Sequence, residues 1–206
     1  NNSDNLCYKA AQLFLEKYNI TDAIDIDLVK NIPVGAGLGG GSANAAIILK
    51  TLYQLFDVKL IDAELNQLAL QLGADVPFFC QDNAAFVSGI GENIVPIAKF
   101  VQLPCLLIVP SVNVETAKIF KAYQSDYDKI AGKFKQPLNK TEIFDYLKNQ
   151  QNSLQATAIK QYPQIATALK LLQDNIDTDA IIRMTGSGGC CFAFFKQQAD
   201  LLNIYS

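Results

Sequence analysis

Five of the seven residues from Gly35 to Gly41 are glycine, and Ser42 follows them as a helical pattern begins. Glycine admits positive φ and lets the backbone come close to a ligand, while the first N–H groups of a helix have no partner of their own. Together with the positive end of the helix dipole, these features suit the run to hold an anion such as the phosphates of a nucleotide. A flexible linker or a tight structural turn is the plainer alternative. It fits less well, because the run is clamped between a patterned segment and a strong helix.

Other chemistries are narrowed by what the chain lacks. Histidine is absent, which removes the usual general base, His-containing zinc sites and Ser-His or Cys-His nucleophiles. The cysteines are Cys7, Cys80, Cys105, Cys190 and Cys191, with no C-x-x-C spacing, so reduced thiols in a cytoplasmic setting are expected. The Cys190-Cys191 pair falls in the apolar run CCFAFF and reads as buried small residues. With 17 basic and 20 acidic residues the net charge is -3, and the basic residues are scattered. Neither nucleic acid nor an anionic membrane is therefore an expected partner.

The elements around the turn follow from apolar spacing. Asp4 to Tyr18 reads as a helix with Asp4 as its N-cap. Ile24, Ile26 and Leu28 alternate with Asp25, Asp27 and Val29, which predicts a half-solvated strand of an antiparallel sheet. Ala45, Ile48, Leu49, Leu52, Leu55 and Phe56 share one face of the helix that starts at the glycines. A further helix runs from an Asp62 N-cap to Leu72 and should close at a left-handed Gly73, which sets Asp75 just past a helix end. There, ahead of Val76-Pro77, it could serve as an ordinary cap.

Farther on, Ala84 to Ile97 reads as two short strands around Gly89-Ile90-Gly91, and Leu103 to Val109 as another strand. Residues 115–172 read as mostly helical. Ile181 to Met184 and Cys190 to Phe195 are strands joined by a second glycine turn, Thr185 to Gly189, a plain hairpin turn when taken alone. A domain boundary is expected near Ala98, giving an α+β protein with domains at 1–98 and 99–206.

Three phosphate-binding patterns compete for the first turn. The P-loop pattern aligns with Gly35, Gly40 and Ser42, but Gly41 stands where it needs lysine. The dinucleotide pattern G-x-G-x-x-G fits Gly35, Gly37 and Gly40, with Asp57 as a ribose ligand, and so an NAD(P)-binding oxidoreductase remains open. Against it, Asp25 and Asp27 interrupt what should be an apolar parallel strand. The third pattern, P-x-G-x-G-L-G-[GS]-[GS]-[SA]-[SA], is met at every position from Pro33 to Ala43.

That last stretch resembles the ATP signature of the GHMP kinases, and LGADVPFF (Leu72 to Phe79), GIGE (Gly89 to Glu92) and MTGSGG (Met184 to Gly189) extend the resemblance over nearly the whole chain. Within the family the likeness is to members acting on a cytidine diphosphate conjugate of methylerythritol, with homoserine or mevalonate types as near rivals. The resemblance implies a two-domain fold, with a glycine-loop domain followed by a ferredoxin-like α/β domain and the ligands in the cleft between them. It also implies ATP and Mg²⁺ as cofactors and phosphate transfer to a hydroxyl.

Residue by residue, it implies that Pro33, Gly35, Gly37, Leu38, Gly39, Gly40, Gly41 and Ser42 bind the nucleotide, with the Ser42 hydroxyl also able to reach Mg²⁺. Asn5 and Lys30 match positions near adenine and ribose. Asp75 matches the catalytic aspartate, which orients the acceptor hydroxyl and takes its proton. Thr116, Phe120, Gly186, Ser187 and Gly188 fall on the substrate side, Phe120 by stacking, and the second glycine turn is expected to close on the first.

The family's A-K-[IV]-N and G-[YF]-H motifs do not occur here. The 206-residue chain is therefore expected to be inactive or poorly folded by itself, and a longer natural form to be the enzyme.

Overall fold

The computed structural model describes residues 3–97, 100–123 and 139–202. The chain forms two compact units, one of Asn1–Lys30 with Gly39–Ala98 and one of Asn31–Leu38 with Lys99–Ser206. The glycine turn is thus divided, its first half belonging to the second unit. The boundary expected near Ala98 lies outside the described residues.

The first unit contains α1 (Leu6–Tyr18), α2 (Gly40–Leu55), α3 (Asp62–Leu72), the single turn α4 (Val76–Phe79) and the hairpin β1 (Ala85–Ser88) and β2 (Asn93–Pro96). Its core is built from Ala10, Ala11 and Phe14 of α1, Ala45, Leu49 and Leu52 of α2, and Leu65, Leu68 and Val76. Alanines at the α1–α2 contact let the two helices lie close, and Phe14 meets the Tyr53 ring edge-on with centroids 5.0 Å apart. The Tyr18 hydroxyl lies 2.8 Å from the Tyr53 hydroxyl and donates to Glu64, which ties α1, α2 and α3 together.

Local expectations in this unit need four corrections. Asn5, rather than Asp4, caps α1, its side chain accepting from the Cys7 N–H at 3.1 Å. Ile61 holds the cap position of α3, with Asp62 inside the first turn, where its charge faces the positive dipole end. Gly73 does close α3, but in extended backbone (φ 161°, ψ 156°) that turns the chain directly into α4. Ile24 to Val29 pairs with no strand among the described residues. Alternation tells which side chains turn inward, and Ile24 does pack on the core, but strand geometry also needs a hydrogen-bonding neighbour.

The second unit contains β3 (Cys105–Ile108), α5 (Thr116–Ala122), α6 (Lys140–Lys148), α7 (Gln155–Gln161), α8 (Pro163–Asn175), β4 (Ala180–Met184), β5 (Cys191–Phe195) and α9 (Gln198–Leu202). The helical reading of 115–172 corresponds to α5 through α8, and 124–138 lies outside the described residues. The strands form an antiparallel sheet in the order β3-β5-β4, with Ile108 and Met184 both opposite Cys191. Along β5 every second residue, Cys191, Ala193 and Phe195, is fully buried, and Ile165, Leu169 and Leu172 of α8 cover that face. Cys190 is also fully buried, as the apolar run implied.

Every strand pair described is antiparallel, in keeping with an α+β rather than a doubly wound architecture.

Candidate active site

The start of α2 has the properties expected of an anion site. Gly39 precedes it with φ 69°, no side chain caps it, and the first helical bond runs from the Ala43 N–H to the Gly39 carbonyl. The N–H groups of Gly40, Gly41 and Ser42 consequently meet no acceptor among the described residues. Space is open there as well, since a Cβ on Gly40 would find no atom within 4 Å. The Ser42 hydroxyl likewise has no partner among the described residues.

Asp75 belongs to the same unit. It holds the N-cap position of α4, but its side chain makes no capping bond and is exposed. By position it is a helix cap; by bonding its carboxylate is unengaged among the described residues. One turn later the Phe79 ring lies against Gly39, so the short helix that carries Asp75 is seated on the first residue before α2. The GIGE turn secures the other side. A Cβ on Gly91 would fall 2.0 Å from the Ala74 carbonyl oxygen, and the Glu92 carboxylate closes the turn by accepting from the Ile90 N–H at 2.6 Å.

Asn5 and Lys30 reach this region through α1. Leu6 touches Gly41 closely enough that a Cβ on Gly41 would sit 3.5 Å from Leu6 Cδ1. Burial raises the Cys7 thiol above its ordinary value, an effect opposed by the positive charge of nearby Lys30. Asn5 and Gly41 therefore both lie at the start of α1, with Lys30 near enough for its charge to act on Cys7. Asn5 spends its side-chain oxygen on the cap and keeps its amide free to donate.

In the second unit, Gly35 to Leu38 packs on the second glycine turn. The Cys190 N–H donates to the Ala36 carbonyl at 2.8 Å. A Cβ on Gly37 would lie 2.4 Å from the Gly188 carbonyl oxygen, and one on Gly189 would lie 2.5 Å from that of Gly35. Only glycine fits such backbone-on-backbone contacts, and Gly37, Gly188 and Gly189 all have positive φ. The hairpin between β4 and β5 is thus more than a plain turn, because it is the seat of the first loop's leading half. Thr116 joins the arrangement through its hydroxyl, 2.8 Å from that of Ser187, while Phe120, one turn along α5, is exposed rather than in the core. Pro33 is exposed and makes no described hydrogen bond.

Sequence reasoning missed three side chains that hold these turns. Asn113 presses its Oδ1 to 2.1 Å from where a Gly35 Cβ would stand. Asn152 donates to the carbonyls of Met184 and Gly186, and Gln155 accepts from the Met184 N–H. In the sequence Asn152 signals only a turn before α7, since its grip on residues more than 30 positions away has no local signature. A separate hollow of about 260 Å³, lined by Lys50, Asp62, Asn66, Cys80 and Asp82 among others, includes none of the expected site residues.

Comparison with known proteins agrees with this geometry. Residues 5–89 match the model of the GHMP kinases N-terminal domain and residues 139–206 that of the GHMP kinases C-terminal region. The chain is 35% identical to 4-diphosphocytidyl-2-C-methyl-D-erythritol kinase of Clostridium beijerinckii, over 93% of its own length and 69% of the relative's. It is 36% identical to the kinase of the same description from Clostridium botulinum type E3, over 98% and 72%. A crystal structure of 4-(cytidine 5'-diphospho)-2C-methyl-D-erythritol kinase superposes with TM-score 0.72 at 29% identity, covering 98% of this chain and 73% of that one. Homoserine kinase from Cytophaga hutchinsonii also gives 0.72, at 19% identity and covering 99% and 70%, which is a likeness of fold alone.

Proposed function

The chain belongs to the GHMP kinase family, and from that membership we propose that it transfers the γ-phosphoryl group of ATP to the 2-hydroxyl of 4-diphosphocytidyl-2-C-methyl-D-erythritol, a step of non-mevalonate isoprenoid biosynthesis. The observation that carries the nucleotide half is the open, uncapped start of α2, where three successive amides lack acceptors among the described residues and a glycine meets no described atom within 4 Å of its Cβ position. Such a terminus favours a multiply charged anion through its N–H groups and its dipole.

Mg·ATP bound there supplies the phosphoryl group, with the metal spreading its negative charge. The amides of Gly37 to Ser42 would hold the phosphates, Pro33, Gly35 and Leu38 would shape their approach, and the Ser42 hydroxyl would take a phosphate oxygen or Mg²⁺. Asn5 and Lys30 would face the adenosine; Asn5 caps the helix whose Leu6 packs against Gly41. Asp75 would orient the acceptor hydroxyl and take its proton, a role that its unengaged carboxylate permits. Thr116, Phe120 and Gly186 to Gly188 would meet the cytidine conjugate. On this reading 1–98 is the ATP-binding domain, 99–206 the C-terminal domain, and the reaction is cytoplasmic.

Calorimetric titration with a non-hydrolysable Mg·ATP analogue, set against NADH, tests the reading. Binding of the analogue and none of NADH is expected, and the reverse result would restore the oxidoreductase. The dinucleotide alternative already lacks a parallel strand pair among the described residues. Turnover of homoserine or mevalonate without turnover of the cytidine conjugate would move the substrate within the family.

A further inference from the structure

We propose that Asn152 and Gln155 are positioning residues that set the affinity of the phosphate loop by clamping the second glycine turn from behind. The inference rests on Gly37 to Ser42 being that loop. Asn152 Nδ2 donates to the carbonyls of Met184 at 2.9 Å and Gly186 at 2.8 Å. Its Oδ1 accepts from the Leu154 N–H at 3.0 Å, which fixes the amide's orientation at the entry to α7. One turn of chain later, Gln155 Oε1 accepts from the Met184 N–H at 2.9 Å. Both the N–H and the carbonyl of Met184, and the carbonyl of Gly186, are therefore held by two side chains from one short segment.

The clamped turn is the surface on which Ala36 and Gly37 rest. It supplies the Cys190 N–H to Ala36, and its Gly186 position lies 3.3 Å from the Gly37 carbonyl oxygen when extended by a Cβ. Contacts this close leave no slack: a turn displaced by a fraction of an ångström carries the Gly37 backbone with it or separates from it. Neither Asn152 nor Gln155 needs to touch a ligand for the Gly37 and Leu38 amides, in the loop's leading half, to be aimed by them.

The two residues use opposite ends of their amides, and this provides the test. Asn152 acts as a donor, so Asn152→Asp places a carboxylate against two carbonyl oxygens. Gln155 acts as an acceptor, so Gln155→Glu preserves its bond. Titration of the full chain and its variants with the Mg·ATP analogue should show dissociation constants raised about tenfold or more for Asn152→Asp, Asn152→Ala and Gln155→Ala. Gln155→Glu should recover what Gln155→Ala loses, while Asn152→Asp should be no better than Asn152→Ala.

Thermal melts keep each titration below its variant's unfolding range, and if Asn152→Asp does not fold, the Gln155→Ala and Gln155→Glu pair decides. Wild-type affinity in every variant, or recovery by Asn152→Asp, would overturn the clamp while leaving the phosphate loop intact. No binding by an unmodified chain that melts cooperatively would instead remove the phosphate-loop reading, and the clamp with it.

Discussion

The Phe79 ring occupies the place that a side chain on Gly39 would need: a Cβ there would fall 2.5 Å from Phe79 Cζ. The residue that opens α2 and the helix that carries Asp75 are thus in direct register. Gly39→Ala must displace the ring and also hold φ near 69°, where an L-residue costs about 1–2 kcal/mol. We expect the melting temperature to fall and, in a longer form that turns over, turnover to fall further than nucleotide affinity, because the movement is passed to Asp75. Calorimetric melts alongside kcat and Kd measure the split, and equal losses in all three would argue for general loosening instead.

Gly40 makes the opposite case. Its φ is not positive and open space surrounds it, so Gly40→Ala should be neutral or stabilising by up to about 1 kcal/mol in the first turn of α2. Mg·ATP affinity should nevertheless drop, since the added methyl group stands in the volume assigned to phosphate. A variant that melts higher and binds ATP as tightly as the wild type would show that the phosphates lie elsewhere.

Asp75→Asn removes a charge that caps nothing and pairs with nothing described. Folding and ATP affinity should stay within error of the wild type. In a longer form that turns over, the rate of phosphate transfer should fall about 10²–10⁴-fold, the range associated with loss of a positioned acid or base. Coupled ADP-release kinetics beside calorimetry would separate this outcome from loss of binding.

Burial pushes the Cys80 and Cys191 thiols up to about 11 from the ordinary 9.0. Each therefore favours its neutral form in the fold, and the stability it lends is present below pH 9 and lost as pH rises from about 9 to about 11. Unfolding midpoints should decline across that window. At pH 8 a disulfide reagent should modify the exposed Cys105 first, slowed by partial burial that raises its thiol, and the four buried cysteines only after denaturation. Rapid labelling of all five would contradict the packing.

The helix faces were legible in the sequence because burial repeats with the helical period. Ala45, Leu49 and Leu52 of α2 emerged on the core side as their spacing required, but Leu55, expected on the same face, is exposed in the helix's last turn. The anion-binding character of Gly35 to Ser42 was legible too, since glycine conformations and unpaired helix amides are local properties. The α1 cap moved from Asp4 to Asn5 because neighbouring polar side chains compete for the same N–H groups, whereas at α3 the cap position falls to Ile61, which makes no side-chain capping bond. Ile24 to Val29 shows a stronger limit, in that its alternation described side-chain facing but no residue within the segment can supply a pairing neighbour.

What only the tertiary structure decided is which surfaces face each turn: Phe79 on Gly39, Gly91 on Ala74, the Gly188 carbonyl on Gly37, and Asn152 behind Gly186. Those contacts join residues tens to more than a hundred positions apart, and their specificity lies in distances between backbones. Composition and periodicity carry no record of such distances, because they describe a residue's own preferences and not the atoms that folding brings against it.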